Sequence, residues 1–211
     1  DDDLPTGTAL GMVSGDQEEV KFPGPCTCDG PVEDWLKGLM EHVQESLREK
    51  LLESVNSYVE LPRDKWLSET CSQLAVTTSQ VLWTSEVNAA FERLEQGNEG
   101  ALKDYAVNVV NGLNALTQMV LGELTRGDRT KIKTLITIEV HARDVTNRLV
   151  NERVDSASSF SWQSQLKYRW DEEQKECYIN ICDAEFRYSY EYTGNCGRLV
   201  ITALTDRCYI T

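Results

Sequence analysis

The chain has 211 residues, 40% of them hydrophobic and 27% charged, with 35 acidic against 21 basic side chains and a formal net charge of −14. That length can bury a substantial core in one or two domains, and no apolar run approaches the ~20 residues that span a bilayer. The excess of acid disfavours nucleic acid and anionic membrane as partners, because both need a positive surface, and it reads as solvated, solubilising charge.

Residues 1–29 hold four glycines and three prolines without a sustained apolar period, which predicts an extended, loop-rich lead-in with at most a short strand at Val20 and Phe22. The opening residues have neither a basic flank nor an apolar core, so they read as an internal start and not a signal peptide. A helix is predicted next. Asp29 or Gly30 caps it, Pro31 suits the first turn, and Glu33 and Asp34 complement its positive end. Trp35, Leu39, Val43, Leu47, Leu51 and Val55 recur every four residues, Leu36 and Leu52 widen the stripe, and Pro62 ends the helix.

From Arg63 to about Glu95 the apolar residues include Trp66, Leu67, Leu74, Val81, Leu82, Val87, Phe91 and Leu94, with a break expected at 70–72. Gly97 stops that segment and Asn98 caps the next one. Residues 100–126 form the next predicted helix on Leu102, Tyr105, Val109, Leu113, Leu116, Val120 and Leu124, with Gly127 ending it and Asp128 capping its successor. A last long helix over 129–152 presents Leu135, Ile138, Ala142, Val145 and Leu149 on one side. Its β-branched Ile136-Thr137-Ile138 stretch makes it depend on packing more than on propensity.

After Ser156 the period changes. Ten of the seventeen aromatic residues lie there. Leu166, Tyr168 and Trp170 alternate with Lys167 and Arg169, and Ala184, Phe186, Tyr188, Tyr190 and Tyr192 alternate with polar residues. A two-residue period of this kind predicts half-buried strands. With 171–176 as the turn it predicts a hairpin, with Phe186, Tyr188 and Tyr190 on one buried face and Arg187 opposite. Residues 193–197 make a second turn before the apolar Leu199-Val200-Ile201 run.

Chemistry-bearing patterns are sparse. A phosphate cradle needs a Gly-rich loop ending in Lys and Ser or Thr, and Gly194-Asn195-Cys196-Gly197 has no following Lys and reads as a turn. His141 and Asp144, three apart on a helix, pair locally without an identifiable nucleophile beside them. Trp35, Trp66 and Trp83 read as core. Seven cysteines are an odd number, which favours free thiols in a reducing compartment, and Cys26 and Cys28 are too close for an ordinary zinc knuckle.

Several ordered stretches carry a resemblance: GPVEDWL, VTTSQVLWTSEV, ITIEVHARDVTNRLV, WQSQLKYRWDEE and ICDAEFRYSYEYTGNCGRLVITALTDRCYIT. Across residues 30–211 the chain resembles dynein heavy chains, the axonemal members most closely. The resemblance implies the C-terminal part of the linker, the lever that swings across the motor ring, joined to the first AAA+ module. The implied fold is mainly α, an antiparallel helical bundle followed by a small β-hairpin and the start of an α/β AAA+ module. The implied divisions are a lead-in over 1–29, a helical linker bundle over 30–155, a β-hairpin junction over 156–198 and the module's start over 199–211.

By the same resemblance the parent motor is a microtubule-dependent ATPase of the ciliary or flagellar axoneme, using ATP with Mg. The chain's partners are then the AAA+ ring of the same heavy chain and, through the parent, other dynein subunits and microtubules. Direct contact with the acidic microtubule surface is disfavoured by the chain's own charge. The phosphate loop is expected downstream of Thr211, so the 211 residues alone are not expected to hydrolyse ATP. Leu199, Val200, Ile201 and Thr202 are implied to lie on the adenine side of the nucleotide. The family usually carries Pro at the position of Ala203, and often at that of Gly197, and both departures loosen the expected loop. Hinges are expected at 155–159 and 193–197. The rival reading is a helical interaction scaffold without a motor role.

Overall fold

Three- and four-residue apolar spacing dominates the first three quarters of the chain, and helices dominate the structure accordingly. The structure, a computed structural model, describes residues 7–195 and 202–210. The elements in chain order are β1 (Thr8–Val13), β2 (Glu19–Thr27), α1 (Val32–Glu60), α2 (Arg63–Glu69), α3 (Ser72–Glu95), α4 (Ala101–Val120), α5 (Arg126–Asn151), α6 (Phe160–Gln163), β3 (Lys167–Asp171), β4 (Glu176–Ile181), β5 (Ala184–Arg187) and α7 (Ala203–Ile210). The mainly α class with a small β part is what the periodicity predicts. The chain divides into two units, residues 1–75 with 189–196, and residues 76–188 with 197–211.

In the first unit β1 and β2 form an antiparallel hairpin, bulged between Ala9 and Gly11, where the sequence reads as a loop. Gly11 explains the misreading. A Cβ there would press on the Val20 carbonyl of the partner strand, so this glycine permits close strand approach where it looked like a breaker. Val20, Phe22 and Cys26 are buried along β2, and Phe22 meets His42 of α1 edge-on at 6.0 Å. Two strands alone are marginal, so the packing of β2 on α1 is what holds the hairpin.

Along α1 the burial is uneven. Leu47 and Leu51 are fully buried, whereas Leu36 of the predicted stripe is exposed together with Val32 and Met40. Pro31 sits just before the helix, in extended conformation, so it occupies the cap and not the first turn. Trp66 of α2 is fully buried, donates its indole N–H to the Ser54 carbonyl at 3.0 Å, and meets Tyr58 edge-on at 4.9 Å.

The second unit gathers Trp83, Val87, Ala90, Phe91, Leu102, Tyr105, Ala142, Val145, Leu149 and Trp162 into one core. All five predicted positions of α5 are buried. Helices α4 and α5 run antiparallel: Arg129 donates to the carbonyls of Val120 and Gly122, and Glu139 lies beside Gly112. The predicted boundary between them needs correction. The true start is Thr125, whose hydroxyl accepts the Asp128 N–H at 3.1 Å and donates to the Asp128 carboxylate at 2.6 Å. Gly127 lies inside the helix because this cap fixes the first turn around it.

The sheet also departs from the hairpin reading, since it has three antiparallel strands in the order β3-β4-β5. Tyr168 pairs with Ile179, and Ile179 with Phe186. Strand β5 stops at Arg187, Phe186 is 60% exposed, and Tyr190 is buried with a left-handed φ of 54°, outside any strand. The expected single face of Phe186, Tyr188 and Tyr190 therefore does not exist. Arg187, expected on the face opposite the aromatics, donates through Nε to the Glu176 carboxylate at 2.6 Å, and that carboxylate is buried. Tyr168 N–H donates to Thr84 Oγ1 at 3.3 Å, tying the sheet to α3 within this unit.

Candidate functional site at residues 188–210

Beyond β5 the chain leaves the regular ladder, and its main-chain groups need partners elsewhere. Residues 189–195 find them in the first unit, where they lie as a strap across the α3 start and the β1–β2 turn. Gln73, in the first turn of α3, supplies most of the bonds. Its Nε2 donates to the Glu191 carbonyl at 2.7 Å. Its Oε1 accepts the Thr193 N–H at 2.8 Å, the Gly194 N–H at 3.1 Å and the Thr193 hydroxyl at 3.3 Å.

Glu18 acts beside it. Both carboxylate oxygens accept the Ser72 N–H at 2.9 Å, placing a negative charge at the positive end of the 24-residue α3. The Glu18 carbonyl accepts the Tyr192 hydroxyl at 2.9 Å. Burial pushes the Tyr192 phenol up to about 12, opposed by its hydrogen bond to Ser14 and reinforced by Cys71, Glu18 and Asp16. The phenol is thus held as a neutral donor.

Two side chains close the mount. Tyr190 is buried under the Arg48 guanidinium, 5.2 Å from the ring centroid, an arrangement that satisfies the ring face of a residue held in a rarely populated backbone region. Gly194 is buried with φ 62°, and a Cβ on it would collide with the Ser14 side chain. Only glycine suits a left-handed backbone this close to another chain segment. Within the stretch 193–197 expected to act as a hinge, Thr193 and Gly194 are held by these bonds. Asn195 is half-buried, and residues 196 and 197 lie outside the described residues.

Of the four residues implied to border adenine, Leu199, Val200 and Ile201 lie outside the described residues. Thr202 is exposed and directly precedes α7 in the second unit. Its N–H donates to Thr205 Oγ1 at 2.6 Å while the Thr205 N–H reaches back to Thr202 Oγ1 at 3.4 Å, the reciprocal pattern that starts a helix. Ala203 is the first residue of α7, a position where proline is tolerated because its N–H is not needed. The expectation placed Ala203 in a loop, and the structure places it at the start of a helix.

The other chemistry-bearing candidates resolve as structure. Asp144 takes Arg143 as a partner, through bonds of 2.7 and 2.9 Å. Trp66 and Trp83 are buried, and Trp35 is half-buried. Cys177 is buried, and desolvation first, then the Glu176 charge, pushes its thiol up to about 12, which removes it as a nucleophile. Sequence reasoning missed Gln73 and Glu18 entirely. Their partners lie 118 to 121 and 54 to 174 residues away, and no local pattern marks them.

Comparison with known proteins places these residues. The family described as the hydrolytic ATP binding site of dynein motor region matches residues 188–211. The chain is 52% identical over 207 residues to dynein axonemal heavy chain 9 of Homo sapiens, covering 98% of this chain and 5% of that protein. It is 51% identical over 206 residues to the ciliary dynein beta chain of Tripneustes gratilla, again 98% of this chain and 5% of the relative. To the flagellar outer arm dynein beta chain of Chlamydomonas reinhardtii it is 46% identical over 207 residues, 98% of this chain and 4% of the relative. The chain thus spans about a twentieth of the length of the curated relatives it matches.

Proposed function

Because the chain belongs to the axonemal dynein heavy-chain family, we propose that it is the base of the motor's linker, the lever that converts ATP-driven ring changes into force on microtubules. The observation that supports this reading is the order of parts along the chain: four long helices, α1 and α3 to α5, followed by a stretch matching the dynein ATP-site family. Close-packed helices transmit displacement because their interiors resist deformation.

In this reading residues 1–29 lead in, 30–155 form the lever, 156–198 the junction, and 199–211 open the first AAA+ module. Leu199, Val200, Ile201 and Thr202 border the adenine. Their types fit, since an adenine edge takes apolar walls with main-chain hydrogen bonds. ATP, with Mg, supplies the phosphoryl chemistry in the parent motor; this chain's own residues orient the adenine side and carry the motion away. The partners are the AAA+ ring of the same heavy chain, then other dynein subunits and microtubules, in the axoneme of cilia or flagella.

The test is a distance measurement in the parent heavy chain. One dye sits at the exposed Glu41 of α1 and a second on the AAA+ ring. A lever gives energy transfer that differs between ATP and ADP states. Transfer that is the same in every nucleotide state, in a chain still competent to bind ATP, rejects the lever and favours a static scaffold.

A further inference from the structure

We propose that Cys26 and Cys28 form a two-coordinate site for a soft, thiophilic metal ion, cuprous copper being the ion their chemistry selects. Along β2 the buried positions alternate, Val20 and Phe22 and then Cys26, and Cys28 continues that alternation one residue past the strand's end. Both thiols therefore lie on one face of the strand, with the exposed Thr27 turned the other way. They meet there. The two side chains are hydrogen-bonded, and Cys28 Sγ lies 3.9 Å from the Cys26 carbonyl oxygen. Both are free thiols.

The backbone on either side of the pair is fixed. Cys26 pairs with Ala9 across the hairpin, and the Cys28 N–H donates to the Gly7 carbonyl at 2.6 Å. Gly7 has a left-handed φ of 98°, and a Cβ on it would stand 3.0 Å from the Cys28 carbonyl oxygen, so glycine is what lets the chain close on Cys28. Cys26 is 4% exposed and Cys28 half-buried, which leaves one thiol at the entrance and one beneath it.

Coordination number decides the ion. A structural zinc site takes four ligands, and among the described residues no group of three or more Cys, His, Asp and Glu is placed to hold a metal. The Asp29 carboxylate accepts the Gly30 N–H at 2.8 Å. His42 meets Phe22, four residues along the strand from Cys26, and its Nδ1 donates to the Gly38 carbonyl at 2.9 Å. Cys71 adjoins Ser72, which Glu18 binds at the opposite end of β2. Two soft thiolates without a third ligand suit Cu(I) and reject the hard, oxygen-seeking cations.

Distance separates metal capture from disulfide formation. Two metal–thiolate bonds of about 2.3 Å in line hold their sulfurs roughly 4.6 Å apart, whereas a disulfide brings them to about 2 Å. Hydrogen-bonded thiols stand near the first separation and far from the second. Binding takes up one Cu(I) and releases both thiol protons to solvent, leaving an anionic bis-thiolate complex with no change of oxidation state.

The experiment titrates the whole 211-residue chain with Cu(I) under anaerobic ascorbate, in competition with bathocuproine disulfonate, and counts bound copper by native mass spectrometry. One tightly bound copper is expected, with two sulfur neighbours in its X-ray absorption spectrum. Cys28→Ser, at the half-buried entrance, should weaken binding about a hundredfold or more, because it removes the intramolecular second ligand. Cys26→Ser should do the same, and if that buried change unfolds the chain, Cys28→Ser alone decides. Cys71→Ser combined with Cys208→Ser should leave the affinity unchanged. Iodoacetamide should label Cys28 about tenfold more slowly with copper bound, since a metal-held sulfur is no longer a free nucleophile. Undiminished copper affinity in a folded Cys28→Ser chain overturns the proposal. So does a third ligand in the absorption spectrum, or zinc held by these two residues as tightly as copper. A mass lighter by two hydrogens in place of added copper marks a disulfide and overturns it as well.

Discussion

Trp162 is the residue whose loss should cost the second unit most. It is 1% exposed, packs edge-on against Trp83 at 5.1 Å and tilted against Phe91 at 6.3 Å, and donates its indole N–H to Asn88 Oδ1 at 3.0 Å. The Lys167 ammonium stands 5.6 Å from its ring, and burial lowers the affinity of that amine for its proton. Burying roughly 230 Å² of indole at about 25 cal/mol per Å² gives an upper bound of about 6 kcal/mol. Truncations of large buried aromatics to alanine cost about 3–5 kcal/mol, so Trp162→Ala should remove about 4 kcal/mol. That is a large part of the roughly 5–15 kcal/mol typical of a domain. Trp162→Phe keeps a ring against Trp83 and Phe91 but loses the bond to the half-buried Asn88, and should cost about 1–2 kcal/mol. Urea unfolding followed by far-UV circular dichroism, with slopes compared among the three proteins, measures both values. A Trp162→Ala protein within about 1 kcal/mol of wild type would refute this account of the core. So would alanine and phenylalanine variants that are indistinguishable at unchanged slope.

Arg187→Ala should destabilise by about 1–3 kcal/mol, because it removes a charged partner of the buried Glu176 carboxylate even though the arginine itself is largely exposed; a double-mutant cycle with Glu176→Gln should recover much of the loss. Thr125→Ala should cost about 1 kcal/mol through the lost α5 cap, read as a lower melting temperature. Native Cys177 should resist iodoacetamide at pH 8 while the exposed Cys208 reacts, as peptide mass spectrometry would report. Tyr192 binds its proton more tightly folded than unfolded, so its stabilising contribution is complete below about pH 10, is lost as pH rises toward about 12, and disappears in Tyr192→Phe. Urea midpoints measured between about pH 9 and 12 would show it.

The helices were legible because one physical signal, a buried stripe, fixes both their type and their inward face. Leu135, Ile138, Ala142, Val145 and Leu149 recur at helical spacing, and the core accepts each of them. Where two signals competed, the louder one misled. Gly127 looked like a stop, yet the threonine two residues before it, paired with Asp128, forms the cap that decides the boundary. The aromatic alternation after Ala184 drew attention from Glu176–Ile181, whose Cys177, Ile179 and Ile181 alternate more quietly and make the central strand. In the candidate site Tyr192 was visible only as one more strand aromatic. Its partner is a main-chain carbonyl 174 residues away, a relation set by tertiary structure alone.

The discontinuity of the first unit has a consequence for synthesis. Gln73 leaves the ribosome 118 residues ahead of Glu191, the carbonyl it will hold. At about 5–20 residues per second, that interval lasts roughly 6–24 s. During it the hairpin and α1 to α2 wait without their final segment, while the chain from 76 to 188 is made and has time to fold. Nascent chains arrested just after Tyr188 should therefore expose the Tyr190 and Gly194 seats to chaperones or protease, and arrest farther downstream, once the strap clears the exit tunnel, should close them.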